Sequence, residues 1–129
     1  MKVVVDWPDV ERLIVDLIDG FDIADSVGIG VPKGWTPGAG VHAQVALDGT
    51  TTIIASVMQR HTVRVTVWAD QPTTAKLSAA RLQGHLHAHP GGDGITAIKP
   101  LTGSLPARDP DTGAELASFT VAVVVRSTP

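Results

Sequence analysis

Cysteine and tyrosine are both absent from this 129-residue sequence, and phenylalanine occurs only twice. Without cysteine there are no disulfides and no thiolate metal ligands, and the redox compartment stays open. Three tryptophans and two phenylalanines are the whole aromatic complement, so few rings exist on which nucleobases can stack. A formal net charge of -3 gives no electrostatic reason to hold nucleic acid or an anionic membrane. The bases Lys33, Arg60, Arg64, Lys76, Arg81, Lys99, Arg108 and Arg126 are scattered along the chain. No apolar run approaches the roughly 20 residues of a membrane-spanning helix. The opening Met1-Lys2-Val3-Val4-Val5-Asp6 is too short and too soon acidic for a signal peptide. We therefore expect the chain to act where it is made, unless an assembly carries it out.

Sequence signatures of catalysis are missing too. Gly28-x-Gly30 lacks the third glycine and the following helix of a dinucleotide loop, and Gly91–Gly94 follows a helical run instead of opening one. There is no Gly-x-Ser-x-Gly elbow, and Ser78, Ser104 and Ser118 have no histidine and acid that spacing would pair with them. The aspartates fall where caps, turns and surface charge are expected. An enzyme is not the expectation, and no cofactor is called for.

What the sequence does have is strong hydrophobic patterning. From Thr62 to Asp70 the residues alternate, with Val63, Val65 and Val67 on one side and Arg64, Thr66 and Trp68 on the other. That is the period of a strand with one apolar face. Asp70 and Pro72 end it and open a helix. Ala75, Ala79, Leu82 and Leu86 follow at helical spacing, and His89-Pro90-Gly91 closes the run. This strand–helix unit is expected at the centre of the fold.

Around it, Asp6-Trp7-Pro8 is expected to cap a first helix carrying the stripe Val10, Leu13, Ile14, Leu17 and Ile18, with Gly20 as its stop. Val27–Val31 is a short strand at most. Val41–Leu47 alternates as a strand before an Asp48-Gly49 turn signal. Thr50–Arg60 reads equally as strand or loop. Ile95–Leu105 is extended but broken by Pro100 and Gly103, which a strand tolerates only at an edge or a bulge. Asp109-Pro110-Asp111-Thr112-Gly113 is a turn, and Glu115–Arg126 is the longest strand. Its second face, Leu116 to Val124, is half apolar and expected to be partly covered. The chain thus reads as a single domain, residues 1–129. The expected fold is α+β, a mixed or antiparallel sheet of four to five strands with two helices packed on one face.

Five histidines remain. His85 and His89, four apart, would share a helix face and could grip Zn²⁺ or Ni²⁺. With no glutamate between them the metalloprotease pattern is absent, and a solvated helix end is the preferred account of them. These two are weak metal candidates, and no native metal is expected. The loop tryptophan Trp35 either folds over the core edge or anchors a partner.

Taken together, several stretches resemble a known family. They are Asp6-Trp7-Pro8-Asp9-Val10-Glu11, the strand ending Val67-Trp68-Ala69-Asp70, the helix ending His87-Ala88-His89-Pro90-Gly91, the Asp109–Gly113 turn and the Thr120–Arg126 strand. Their order resembles the tail terminator (tail completion) proteins of long-tailed bacteriophages, especially those of actinobacterial hosts. Ile53–Met58 departs from the pattern, where a more polar, often basic loop would stand. The resemblance implies a virion protein made in the host cytoplasm and placed at the tail–neck junction. It implies a homohexameric ring on the completed tail tube, which stops the major tail tube protein from polymerising and offers the joining surface to a head-completion or connector protein. Genome DNA would pass through the ring without specific binding. No membrane, cofactor or catalysis is implied. Exposed edges and loops satisfied by neighbouring copies agree with this, and Trp35, Ile53, Ile54, Met58, Leu101 and Leu105 are the candidate partner contacts. The near alternative is another head–tail connector or neck protein. The alternative from a different class is a small cytoplasmic metal- or ligand-binding α+β protein using His85 and His89.

Overall fold

The computed structural model describes residues 4–128; the first three residues of the opening segment, Met1-Lys2-Val3, lie outside them. In chain order the elements are α1 (Val10–Phe21), β1 (Ser26–Gly28), a 3-10 turn (Pro37–Ala39), β2 (His42–Ile54), β3 (Met58–Ala69), α2 (Pro72–His87), β4 (Ile95–Arg108) and β5 (Glu115–Arg126). One five-stranded sheet runs β1-β2-β3-β5-β4. β1 is parallel to β2, and the other neighbours are antiparallel. Both helices pack into one core with the sheet, so the architecture is the expected α+β arrangement with a mixed sheet.

The central unit forms as its pattern dictates. Val63, Val65 and Val67 on β3 are fully buried, beside Ala117, Phe119, Val121 and Val123 of β5 and under Ala75, Ala79, Leu82 and Leu86 of α2. Small alanines let the helix lie close to the sheet, and the two leucines fill what remains. Pro72 begins α2 as expected. Its N-cap, however, is Gln71 without a side-chain bond, not Asp70, and the helix ends at His87 with Ala88 as C-cap.

Three sequence boundaries moved for identifiable reasons. In α1 the cap is Asp9, whose carboxylate accepts from the Arg12 N–H at 3.2 Å. Asp6 is instead bridged to the far terminus, its N–H donating to the Thr128 carbonyl at 2.8 Å and its carbonyl accepting from Thr128 at 2.9 Å. A residue held in a strand bridge cannot also cap a helix. At the other end α1 runs through Gly20 to Phe21, whose ring joins the core margin, and Asp22 closes it in the left-handed conformation (φ 56°). The third change is larger. Asp48-Gly49 is a bulge inside β2 and not a turn: the strand continues through Thr50-Thr51-Thr52-Ile53-Ile54, and the hairpin closes at Ala55–Val57 with Ser56 at φ 61°. The β-branched run keeps the chain extended. The extra residue also swaps faces, so that Thr50 opposes His61 on the helix side.

β4 is the edge strand its prolines called for, with register breaks at Pro100/Thr102 and Thr102/Leu105. The Thr102 carbonyl at that break accepts from Gln83 of α2 at 3.0 Å. In the turn before β5, the Asp109 carboxylate accepts from the N–H of Thr112 at 2.9 Å and from its hydroxyl at 2.6 Å.

Length explains where the core stops. Thirteen residues of β2 extend about 43 Å at ~3.3 Å each. The 12 residues of α1 and 16 of α2 span about 18 and 24 Å. Two layers this unequal cannot cover each other, and the β2–β3 hairpin overhangs the helices.

Candidate assembly surface

The overhang places most of the sequence candidates. Ile53 and Ile54 are 48% and 50% exposed, with Val57 beside them at 41%. Met58 opposes Ile54 across the hairpin and is half-buried. Residues 49–59 carry no charge, so this tip offers apolar side chains and open β-branched backbone to whatever meets it. A second exposed set lies on the β4 edge, where Leu101 and Leu105 are 50% and 65% exposed. The structure thus joins Ile53, Ile54 and Met58 in one tip, puts Leu101 and Leu105 together on one edge, and keeps the two groups on different strands.

Trp35 is elsewhere again. It is half-buried, and its ring meets Trp68 edge-on with centroids 5.9 Å apart. Trp68 in turn donates its indole N–H to Gln44 at 3.1 Å. The 29–40 loop therefore closes over one end of the sheet face that lacks helices. Farther along, Leu116, Ser118 and Thr120 are half-buried and Ala122 and Val124 buried, the partial cover expected of this face. Thr66 bonds Ser118 at 2.9 Å and Thr102 bonds Thr120 at 2.8 Å, tying the strands by hydroxyl pairs.

Pattern reading passed over Leu77, 61% exposed on α2. It sits off the Ala75–Ala79–Leu82–Leu86 stripe, and an apolar residue on the wet side of an amphipathic helix was a visible signal. Beside it a groove of about 630 Å³ runs between the start of α2 and the β4–β5 end, walled by Pro72, Leu77, Pro106 and Leu116 with Lys76 and Glu115 at its polar margin.

The histidines do not gather. The expected His85/His89 helix face does not form, because α2 ends at His87. His85 is exposed with its ring 4.9 Å from Phe21, whereas His89 turns back so that its Nδ1 accepts from the Gly91 N–H at 3.1 Å. Among the described residues no three His, Asp or Glu side chains are placed to hold a metal. The two buried histidines do something else. His42 Nε2 donates to the Gly30 carbonyl at 2.7 Å, which fixes the tautomer, so Ser26 donates its hydroxyl to Nδ1 at 2.8 Å. That clamp holds β1 and the following loop against β2. His61 bonds Thr50 at 2.9 Å. Burial pushes both pKa values below the ordinary histidine value, His42 partly restrained by the Gly30 carbonyl.

No protein-family profile matches the chain, and no curated protein matches it. Among solved structures the fold is similar to that of a chain in the virion of a native gene transfer agent particle. The TM-score is 0.61 at 17% identity, over 88% of this chain and 84% of that one. At this identity the likeness concerns the fold.

Proposed function

We propose that this chain is a structural protein of a phage-like particle, and within that class a tail terminator. In this reading it forms a ring, six copies by the family resemblance, that caps the tail tube and stops its growth. The ring gives the head-completion protein a surface to join and lets DNA pass at the tail–neck junction. The role needs no cofactor and no catalysis. The observation that carries the reading is the uncharged, apolar β2–β3 overhang, a feature that a self-sufficient monomer would keep short or charged. The fold shared with a chain of a gene transfer agent virion supports the same class.

Open edges favour repetition. The three residues of β1 pair with only the start of β2, leaving its outer edge from Val45 to Ile54 open, and a head-to-tail contact that closes makes a ring. Deleting the gene from the producing phage tests the reading. Tails that overrun their normal length, with heads unjoined, are the expected result. Normal particles without this chain would overturn it, and tails of normal length that lack heads would move it to another connector.

A further inference from the structure

α1 and the sheet face that lacks helices carry opposite charge. Between Asp6 and Asp25 lie seven of the thirteen acidic residues and a single base, Arg12. On the outward side of α1, the exposed side chains of Asp9, Arg12, Asp16 and Asp19 follow at i, i+3, i+7 and i+10. They form a stripe about 15 Å long at ~1.5 Å per residue, in which Arg12 pairs with Asp16 at 3.4 Å.

The helix-free face of the sheet is the reverse. Strand pairing puts Arg60 opposite Val124, Arg64 opposite Thr120, Lys99 opposite Ala122 and Arg126 opposite Met58. All four bases are exposed and stand on this one face. Within the strands Asp48 is the one acid there, 3.4 Å from Arg64. Arg60 and Arg64, four residues apart, are about 13 Å from each other at ~3.3 Å per residue, close to the span of the α1 stripe. The bases looked scattered along the sequence because β3, β4 and β5 bring them to one face.

We propose that this sheet face is the contact surface for a second copy of the chain, which lays the acidic stripe of its α1 across Arg60, Arg64, Lys99 and Arg126. The inference shares with the ring-forming reading only the identity of the partner. Charge complementarity selects the occupant. A net charge of -3 repels a polyanion as a whole, and Trp68, the tryptophan that β3 puts on the face, already has Gln44 and Trp35 against it. The chain's own α1 instead supplies carboxylates at matching spacing. Beside α1, a cavity of about 370 Å³ walled by Leu13, Leu17 and Ile95 and edged by Asp16 and Asp93 suits an arginine's apolar stem and charged head. The contact is heterologous, so its repetition closes a ring or extends a filament.

Sedimentation of the full chain at low and high ionic strength tests this. The wild type should self-associate at low salt and weaken as salt rises. Arg60→Glu/Arg64→Glu and, separately, Asp16→Lys/Asp19→Lys should each lose about tenfold or more in association while keeping the wild-type thermal melt. Mixing the two charge-reversed proteins should restore association between them. No self-association of the wild type at low salt, indifference to both variants, or a mixture that fails to associate would each overturn the proposal. So would binding of a duplex DNA oligonucleotide that Arg60→Glu/Arg64→Glu abolishes without touching self-association, since the occupant is then a polyanion. A ring that forms from both variants sinks this contact and spares the virion reading. Charge-dependent association of a chain absent from particles does the opposite.

Discussion

His42–Ala46 and Leu47–Ile54 are two halves of one strand, and they have little else in common. In the first half His42, Ala43 and Val45 are buried against neighbours on both faces; in the second every residue is exposed. The backbone pairing to β3 continues through both. The ladder to β3 therefore does not distinguish them; the pairing with β1, confined to His42–Gln44, and helix cover do. Where α1 and α2 reach, alternation of apolar residues builds a core. Beyond their ends the same strand pair is held by the ladder and the Thr50–His61 hydrogen bond, and β2 shows its apolar side chains to solvent. The comparison teaches that the core occupies one end of the hairpin only; in the proposed reading, assembly uses the other.

The sharpest way to break that division is a charge at its inner end. Val65 is fully buried between the Val45 and Phe119 registers. Val65→Asp should unfold the chain, at a cost of several kcal/mol for an unpaired buried charge; a circular-dichroism melt at wild-type temperature would mean the core is misplaced. Leu82→Ala, which opens a cavity in the helix layer and leaves the charge unchanged, should cost about 2–5 kcal/mol in chemical denaturation.

A smaller effect separates the halves by pH. His42 lies in the covered half and His61 opposes Thr50 just past the bulge. Both have folded-state pKa values lowered, chiefly by burial, from the ordinary 6.5. A lowered histidine pKa means the unfolded chain binds more protons below that value, so stability is complete above 6.5 and falls as the pH drops from there toward the folded values. The melting temperature should decline from pH 7 toward 5.5. His42→Gln, though weaker overall by about 1 kcal/mol for the lost clamp, should show a shallower decline. An unchanged slope would mean His42 stays accessible to protons in the fold.

Much of the covered half was legible from its residues. Alternating valines on β3, the Ala/Leu stripe of α2 and the bounds of β5 follow directly from period and turn chemistry, because burial on one face imposes that period. The overhang was harder. Thr50–Arg60 reads as strand or loop because no buried face imposes alternation there, and Asp48-Gly49 carries the chemistry of a turn that the ladder absorbs as a bulge. The caps at Asp6 and Asp70 failed because long-range pairing to Thr128 and the local backbone decided them. Of the candidate surface, single exposed side chains were visible in the pattern. The common face of Arg60, Arg64, Lys99 and Arg126 needed the strand order β3-β5-β4, which no local signal contains.

At the outer end the expected stability effects become small and the assembly effects large. Trp35→Ala removes an edge-on contact with Trp68 from a half-buried loop residue and should cost about 1 kcal/mol, with folding retained. Ile53→Ser/Ile54→Ser removes no core contact, so its unfolding midpoint should stay within about 0.5 kcal/mol of wild type. In particles the same double variant should fail to be retained, because it deletes the apolar surface through which the proposed ring would meet its neighbours. Complementation of a deletion phage reads both outcomes together: soluble, folded protein in the lysate with no rescue of particle yield. Full rescue would show that the outer half of β2 is merely tolerated length. Loss of soluble protein would show that the tip belongs to the core after all, and the division between the two halves would fall.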